Sequence, residues 1–352
     1  MVKFNASFGD RIKVILSKED YTGVLLESPI DASEVLLLKL DSGYNLGLVR
    51  KDIIKVEVLK KGVVNKEKPE MKMKRESGKP DIAMIITGGT ISSQLDSKTG
   101  AVKWITSPTT LFRFYPEIFK HVNVTKVEIP FMKASENMSY RDWKKIARCA
   151  SQLLNDPQIK GLIITHGTDF LHYTSSALSF FLRNLNKPVV LTYSQRSGDR
   201  GSSDARLNLE CAAIASASEI AEVMLVGHGS TNDNYCYAMP GTKVRKLHTS
   251  RRDAFKVVNS LRFAKIFPSG NKQDSMNLVL GESNSIKNSP RIEKIGDYKT
   301  RDEHFKKKTV VDDKFEEKIA VIKFYPGQNP EILDYYLKNK YKGLVIEVSG
   351  FG

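Results

Sequence analysis

Cysteine is scarce in this sequence. Cys149, Cys211 and Cys236 are the three cysteines in 352 residues. They are odd in number, scattered and without CxxC spacing, which excludes a disulfide framework or a cysteine zinc site and leaves reduced thiols. Long apolar runs are missing as well: no stretch reaches the roughly 18 residues that a membrane-spanning helix needs, so no membrane contact is expected. The opening Met-Val-Lys-Phe-Asn-Ala-Ser-Phe-Gly-Asp holds no apolar h-region. No secretory signal is expected from it, and the location read from the sequence is cytoplasmic. Acidic residues fall short of basic ones, 40 Asp+Glu against 55 Lys+Arg, for a net charge of +15. That surplus invites an anionic partner such as nucleic acid, although lysine-rich surfaces also serve solvation alone. With 41% apolar and 27% charged residues, global disorder is excluded. At about 100–200 residues per domain, the length gives two or three domains.

Residues 1–59 read as a small all-β module. Short β-rich runs at 11–16, 21–27, 34–40, 46–49 and 53–59 are separated by turn chemistry at Lys18-Glu19-Asp20, Ser28-Pro29-Ile30-Asp31 and Asp41-Ser42-Gly43. Five short strands with tight turns suggest an SH3-like barrel. Residues 60–80 read as a flexible basic linker, since 60–79 hold eight basic and three acidic residues and little apolar periodicity. From Asp81 the pattern becomes strand–helix alternation. Strands are expected at 82–86, 122–129, 161–165, 189–192 and 223–226, with helices at 107–114, 139–154, 175–185 and 207–217. Such alternation implies an α/β fold with a doubly wound, mostly parallel sheet over 81–280, its ligand site at the carboxyl ends of the strands. Residues 281–318 read as a polar connector, including Gly281-Glu282-Ser283-Asn284-Ser285. A further strand, helix and strand come next at 319–324, 331–338 and 344–348. One such unit is too small to close a core, so 319–352 is expected to be the start of an incomplete second α/β domain.

Three stretches carry chemistry. The first, Thr87-Gly88-Gly89-Thr90-Ile91, directly follows a strand. A Gly-Gly pair there lets the backbone turn sharply and present N–H groups, with Thr90 as a displayed hydroxyl. A lone GGT is more often a structural turn, and no phosphate-loop pattern is present. The second, Thr165-His166-Gly167-Thr168-Asp169, can place a hydroxyl, a carboxylate and backbone donors around one substrate group. His166 beside a glycine at a strand end reads as structural more readily than catalytic. The third, Arg245-Lys246-Leu247-His248-Thr249, leads into Arg251-Arg252-Asp253-Ala254-Phe255. Taken alone it is a solvated basic loop; near Thr168 and Asp169, Lys246 could move a proton.

Together, TGGTI at 87–91, THGTD at 165–169 and RKLHTSRRDAF at 245–255 resemble the signatures of the asparaginase/glutaminase-type amidohydrolases. The likeness extends through Ala134-Ser135-Glu136-Asn137-Met138 and Ser203-Asp204-Ala205-Arg206-Leu207-Asn208-Leu209. It covers about residues 81–270 well and 319–352 more loosely. The added β module, the basic linker and His172-Tyr173-Thr174 bring the likeness nearest to members that work as the glutaminase subunit of an archaeal tRNA-dependent amidotransferase. The resemblance implies Thr90 as nucleophile, Thr168, Asp169 and Lys246 as a second Thr–Asp–Lys triad, and Ser135 as holder of the substrate α-carboxylate. Backbone N–H groups near Gly89 and Gly167 would hold the oxyanion.

The activity that this resemblance implies is a glutaminase supplying ammonia to a partner subunit that carries the tRNA and ATP sites. ATP and Mg would belong to that partner, with no cofactor or metal in this chain. Glu-tRNA(Gln) would be at most peripheral, and a homodimer core within a heterotetramer is expected. Two departures stand out. The family's lid tyrosine has no counterpart in 91–102, which leaves Thr168 as a rival nucleophile, and the sequence stops before the family's second domain is complete. A free-standing L-asparaginase or glutaminase is the alternative, because glutamine and asparagine differ by one methylene, worth only about 1–3 kcal/mol in a pocket. A tRNA-binding scaffold with an inactive hydrolase fold is a third reading. Charge location bears on the partner: 60–79 contribute +5, and 241–275, with nine basic and two acidic residues, contribute +7. The surplus is thus expected on a tether and a rim by the site, not in a nucleic-acid groove.

Overall fold

A computed structural model describes residues 6–7, 9–26, 35–40, 45–61, 75–95, 102–268 and 289–350. The turns expected at 28–31 and 41–43, most of the basic linker, and the stretch 281–285 lie outside the described residues.

In the first 60 residues, Arg11–Ile15, Asp20–Leu26, Val35–Leu40, Asn45–Val49 and Lys55–Lys60 form one antiparallel sheet. Period-two alternation puts Ile12, Val14, Leu25, Leu36, Leu38 and Leu48 on one buried face, with Ile53 beside them. The barrel expectation is corrected here. The sheet runs in the order 45–49, 35–40, 20–26, 11–15, 55–60, and its two end strands share no ladder among the described residues. It is an open sheet.

Among the described residues the central sheet has eight strands. Asp81–Ile86 lies between Asn123–Glu128 on one side and Leu162–Thr165 on the other; Val189–Thr192 and Val223–His228 continue outward. These five are parallel. Four of them are apolar runs because both faces are covered, whereas the edge strand Asn123–Glu128 leaves Thr125, Lys126 and Glu128 exposed. Ile82, Met84, Ile86, Ile163 and Val226 pack on one face, under the helices Pro108–Phe114 and Ala205–Ser216. Ala83, Ile85, Leu162, Ile164 and Leu191 pack on the other, under Tyr140–Leu154 and Leu171–Phe181. Each fully buried Ile, Leu, Val or Met side chain among these contributes about 1.5–3 kcal/mol. The doubly wound, mostly parallel reading holds. The chain crosses from one side of Asp81–Ile86 to the other after its second strand, and this order places a ligand crevice between the carboxyl ends of Asp81–Ile86 and Leu162–Thr165.

Several elements differ from expectation. Cys236–Pro240, Ala264–Phe267 and Arg291–Lys294 extend the sheet antiparallel, and the sequence pattern announces none of them. Their buried residues, such as Cys236, Ala238, Ala264 and Ile266, are mostly not β-branched, so these short runs carry little strand signal. Consequently the stretch expected to be a connector contributes an edge strand at Arg291–Lys294. The helix expected at 175–185 is Leu171–Phe181, ending where Leu182–Arg183 pairs with Val310–Val311. The N-terminus of Tyr140–Leu154 agrees with expectation: Ser139 and Asp142 form a reciprocal capping box.

Residues 312–352 form a compact unit of their own. Ile319–Lys323 and Gly343–Glu347 pair in parallel, joined through the helix Ile332–Lys338. Ala320 and Ile322 are its buried residues.

Candidate active site

Two motif loops leave the adjacent strands Asp81–Ile86 and Leu162–Thr165 at the same level, Ile86 lying opposite Thr165. The Thr87 N–H and hydroxyl both donate to the Thr165 carbonyl, at 3.2 and 2.8 Å. Beyond this clasp the backbone enters the left-handed region, with φ of 111° at Gly88 and 80° at Gly89. Both positions also demand glycine for space. A Cβ on Gly88 would lie 2.6 Å from the Lys133 carbonyl oxygen, and one on Gly89 would lie 2.3 Å from the Gly167 Cα. Gly167 in turn presses on Ser135, where a Cβ would lie 2.9 Å from the serine Cβ. Glycine–glycine contact therefore brings the TGGT, ASE and THGTD loops into one crevice.

Thr90 opens a short 3-10 turn directly after Gly89 and is half-buried. Thr168 is buried at 7% exposure, and its hydroxyl has no hydrogen-bond partner among the described residues. A buried, unspent hydroxyl costs about 1–3 kcal/mol unless a ligand uses it. Neither the Gly89 nor the Gly167 N–H donates to a backbone carbonyl among the described residues. Ser135 is buried; its Oγ accepts from the Phe170 N–H at 3.2 Å and lies 3.3 Å from a Glu136 carboxylate oxygen.

Lys246 reaches the same place from elsewhere in the chain. It ends the strand Val244–Lys246, which pairs with Phe255–Val257, Lys246 facing Phe255. Its Nζ donates to Asp169 Oδ1 at 2.7 Å, with the lysine side chain 7% exposed and the carboxylate 55% exposed. Thr168, Asp169 and Lys246 are therefore contiguous through one chain step and one charge-assisted hydrogen bond. No described group of His, Cys, Asp and Glu could hold a metal ion.

Four residues support these loops, His166 among them in the structural role expected of it. His166 is fully buried; burial lowers its pKa from 6.5 to about 4, against the opposing hydrogen bond to Gly167. Its Nδ1 lies 2.8 Å from the Gly167 carbonyl, which can only accept, so Nδ1 carries the proton and Nε2 accepts from Thr174 at 2.8 Å. With both nitrogens spent, His166 orients Gly167 and is not placed to move protons. His172 is likewise held neutral, its pKa lowered to about 4 by burial and by the cations Arg245 and Lys246. Tyr115 donates to the Ile91 carbonyl at 3.1 Å, buttressing the TGGTI loop; burial and the Asp199 and Asp204 carboxylates push its phenol pKa up. Lys133 donates to Asp142 at 2.8 Å. That pairing holds the Asp142 carboxyl below its usual range although burial opposes it. Three of these contacts span 8 to 24 positions, and those of His172 with Arg245 and Lys246 span more than 70, so residue patterning does not reveal them.

Much of the basic charge expected on the rim is internally paired. Arg251 and Lys256 both bind the buried Asp253, and Arg252 binds Asp233.

A strand-order switch point bearing paired glycine loops, a Thr–Asp–Lys set and a serine pocket defines an amide-hydrolase class of site. The family model "Asparaginase, N-terminal" matches residues 81–277, and the "GatD N-terminal domain" model matches residues 6–59. The chain belongs to the asparaginase family. Among its relatives is the glutamyl-tRNA(Gln) amidotransferase D subunit of Thermococcus kodakarensis, 42% identical over 362 residues that cover 100% of this chain and 76% of the relative. The protein of the same name from Pyrococcus horikoshii is 42% identical over 359 residues, covering 99% and 75%. That from Methanococcus maripaludis is 37% identical over 347 residues, covering 98% and 77%. Solved structures agree on the fold. The thermostable L-asparaginase of Thermococcus kodakarensis superposes with a TM-score of 0.60 at 24% identity, over 77% of this chain and 72% of its own. L-asparaginase I of Vibrio cholerae gives a TM-score of 0.57 at 26% identity, over 78% and 74%.

Proposed function

We propose that this chain is the glutaminase subunit of a glutamyl-tRNA(Gln) amidotransferase. The observation that carries the reading is the unspent Thr168 hydroxyl beside the Asp169–Lys246 pair, at the switch point that also bears Thr90. The relatives named as amidotransferase subunits support this reading over a free-standing asparaginase.

Glutamine enters with its α-carboxylate on Ser135 and its side-chain carbonyl over the Gly89–Gly167 contact. The Thr90 oxygen bonds to the carbonyl carbon, and the N–H groups of Gly89 and Gly167 receive the oxyanion. The C–N bond then breaks, and the proton given up by the threonine hydroxyl reaches the leaving nitrogen through Thr168, Asp169 and Lys246. Ammonia departs, leaving a Thr90 ester. Water cleaves the ester to glutamate and restores the hydroxyl. A partner subunit activates glutamate on tRNA(Gln) with ATP and Mg and captures the ammonia; this chain supplies no cofactor. The paired state of Arg251, Arg252 and Lys256 fits a subunit that meets the tRNA at most at its edge.

Ammonia release from glutamine, measured with the protein alone and then with its ATP-using partner and Glu-tRNA(Gln), tests the reading. Release that rises when partner and charged tRNA are added is expected. Equal release with and without them would sink the coupling, and no release from glutamine or asparagine would sink the hydrolase.

A further inference from the structure

Lys246 acts from a short hairpin, so something must fix that hairpin against the loop bearing Asp169. The connecting residues 247–254 are closed at their base by the Leu247 N–H donating to the Ala254 carbonyl at 2.8 Å. At their far end, one buried side chain reaches in from the central sheet. Tyr193, directly after the strand Val189–Thr192, is 0% exposed, and its hydroxyl donates to the Arg252 carbonyl at 2.7 Å. Its ring lies 4.5 Å from that of Phe255, the residue facing Lys246 across the hairpin. His172, three positions after Asp169, meets the same Phe255 ring edge-on at 6.4 Å. The loop with the carboxylate and the hairpin with the lysine thus converge on one aromatic ring, and Tyr193 backs it.

The room for Tyr193 is specific. Gly227 lies behind its ring, where a Cβ would come within 2.4 Å of the tyrosine Cε1. The Asn208 amide donates to the Tyr193 carbonyl at 2.9 Å, fixing the backbone from which the ring projects. Arg252, whose carbonyl receives the hydroxyl, spends its guanidinium on Asp233 and on the Ser202 and Thr231 carbonyls. The tether therefore ends on an already anchored residue.

We propose that Tyr193 is a positioning residue for Lys246: its hydroxyl and ring hold the 247–254 loop and Phe255 so that the lysine meets Asp169. The inference rests on the amide-hydrolase reading above for its catalytic consequence alone. Misplacing a catalytic group by about 1 Å costs as much as about 100-fold in rate. Loss of one hydrogen bond with the ring retained is expected to cost less.

The test compares wild type, Tyr193→Phe and Gly227→Ala. The first variant keeps the ring and removes the tether; the second leaves Tyr193 in place and pushes its ring. Two quantities are read for each: the kinetics of glutamine hydrolysis, and acetylation of Lys246 by acetic anhydride, measured by peptide mass spectrometry and normalised to Lys187. Lys187 is a suitable reference because the Leu154 and Asp156 carbonyls hold it elsewhere. Both variants are expected to lower kcat about tenfold with KM within about twofold, and to raise Lys246 acetylation several-fold. Lys246 acetylation unchanged in both variants overturns the proposal, as does wild-type kcat in both. Should wild type hydrolyse no amide, the function has failed, and the acetylation of Lys246 still decides whether Tyr193 positions it.

Discussion

Thr90 and Thr168 stand on loops locked from within by glycine contacts, whereas Lys246 stands on a hairpin held by side-chain tethers. In the first region the backbone itself is the support. Gly88, Gly89 and Gly167 touch Lys133, Gly167 and Ser135 so closely that no Cβ fits, and the loops issue from parallel strands with both faces buried. In the second region the support is polar and aromatic: Tyr193 on Arg252, Arg251 and Lys256 on Asp253, and Phe255 under Lys246. The two halves therefore tolerate change differently. A glycine-packed loop has no slack, since any added atom must move backbone. A tethered hairpin loses its geometry by degrees, one bond at a time.

The largest expected effect lies on the hairpin side. Lys246→Met removes the only described ion-pair partner of Asp169, and kcat for glutamine hydrolysis is expected to fall at least about 10³-fold, roughly 4 kcal/mol in the barrier. Retention of more than a tenth of the rate would remove the lysine from the chemistry. On the glycine side, Gly89→Ala places a side chain at φ 80° and 2.3 Å from Gly167. A stability loss of about 3 kcal/mol or more is expected in urea unfolding. A loss under about 1 kcal/mol would show that the two loops can slide apart.

A smaller effect is set by pH. Burial keeps His166 neutral, its pKa lowered to about 4. The unfolded chain takes up the proton near pH 6.5, so His166 favours the fold fully above that pH and loses its contribution as pH falls toward 4. Between pH 6.5 and 5 the loss is about 2 kcal/mol. Urea unfolding at the two pH values should show a gap that shrinks by about that amount in His166→Asn; an equal gap in the variant would mean the histidine is not held neutral. Smallest is the pocket effect. Ser135→Ala should raise KM for glutamine about tenfold, roughly 1.4 kcal/mol, with kcat little changed. A fall in kcat with KM unmoved would place Ser135 with the proton relay instead.

The glycine-locked region is largely legible in the sequence and the tethered one is not, for physical reasons. Asp81–Ile86, Leu162–Thr165, Val189–Thr192 and Val223–His228 announce themselves because burial on both faces makes them apolar runs. The glycine-rich loops announce themselves because left-handed backbone and close approach leave glycine no substitute. The helix start expected at 139 reads correctly because capping by Ser139 is local. The antiparallel extension fails to read because its strands are short and poor in β-branched residues, Cys236–Pro240 holding none and Ala264–Phe267 only Ile266. The helix Leu171–Phe181 begins four residues before its sequence pattern suggests, because it has no N-cap hydrogen bond and the acidic residue before it, Asp169, is spent on Lys246. That bond spans 77 positions, and residue patterning alone offers no rule that finds it. Only the family resemblance points to the pair, and neither source points to Tyr193.

These two differently supported halves are expected to form one reacting unit. A double-mutant cycle on glutamine hydrolysis addresses it directly, with Thr168→Val on the glycine-locked side and Lys246→Met on the tethered side. Groups that pass one proton should act as a unit, so the double variant is predicted to be no slower than the slower single variant, within about threefold. Losses in kcat that multiply in the double variant would contradict the account, because they would place the threonine and the lysine in separate roles.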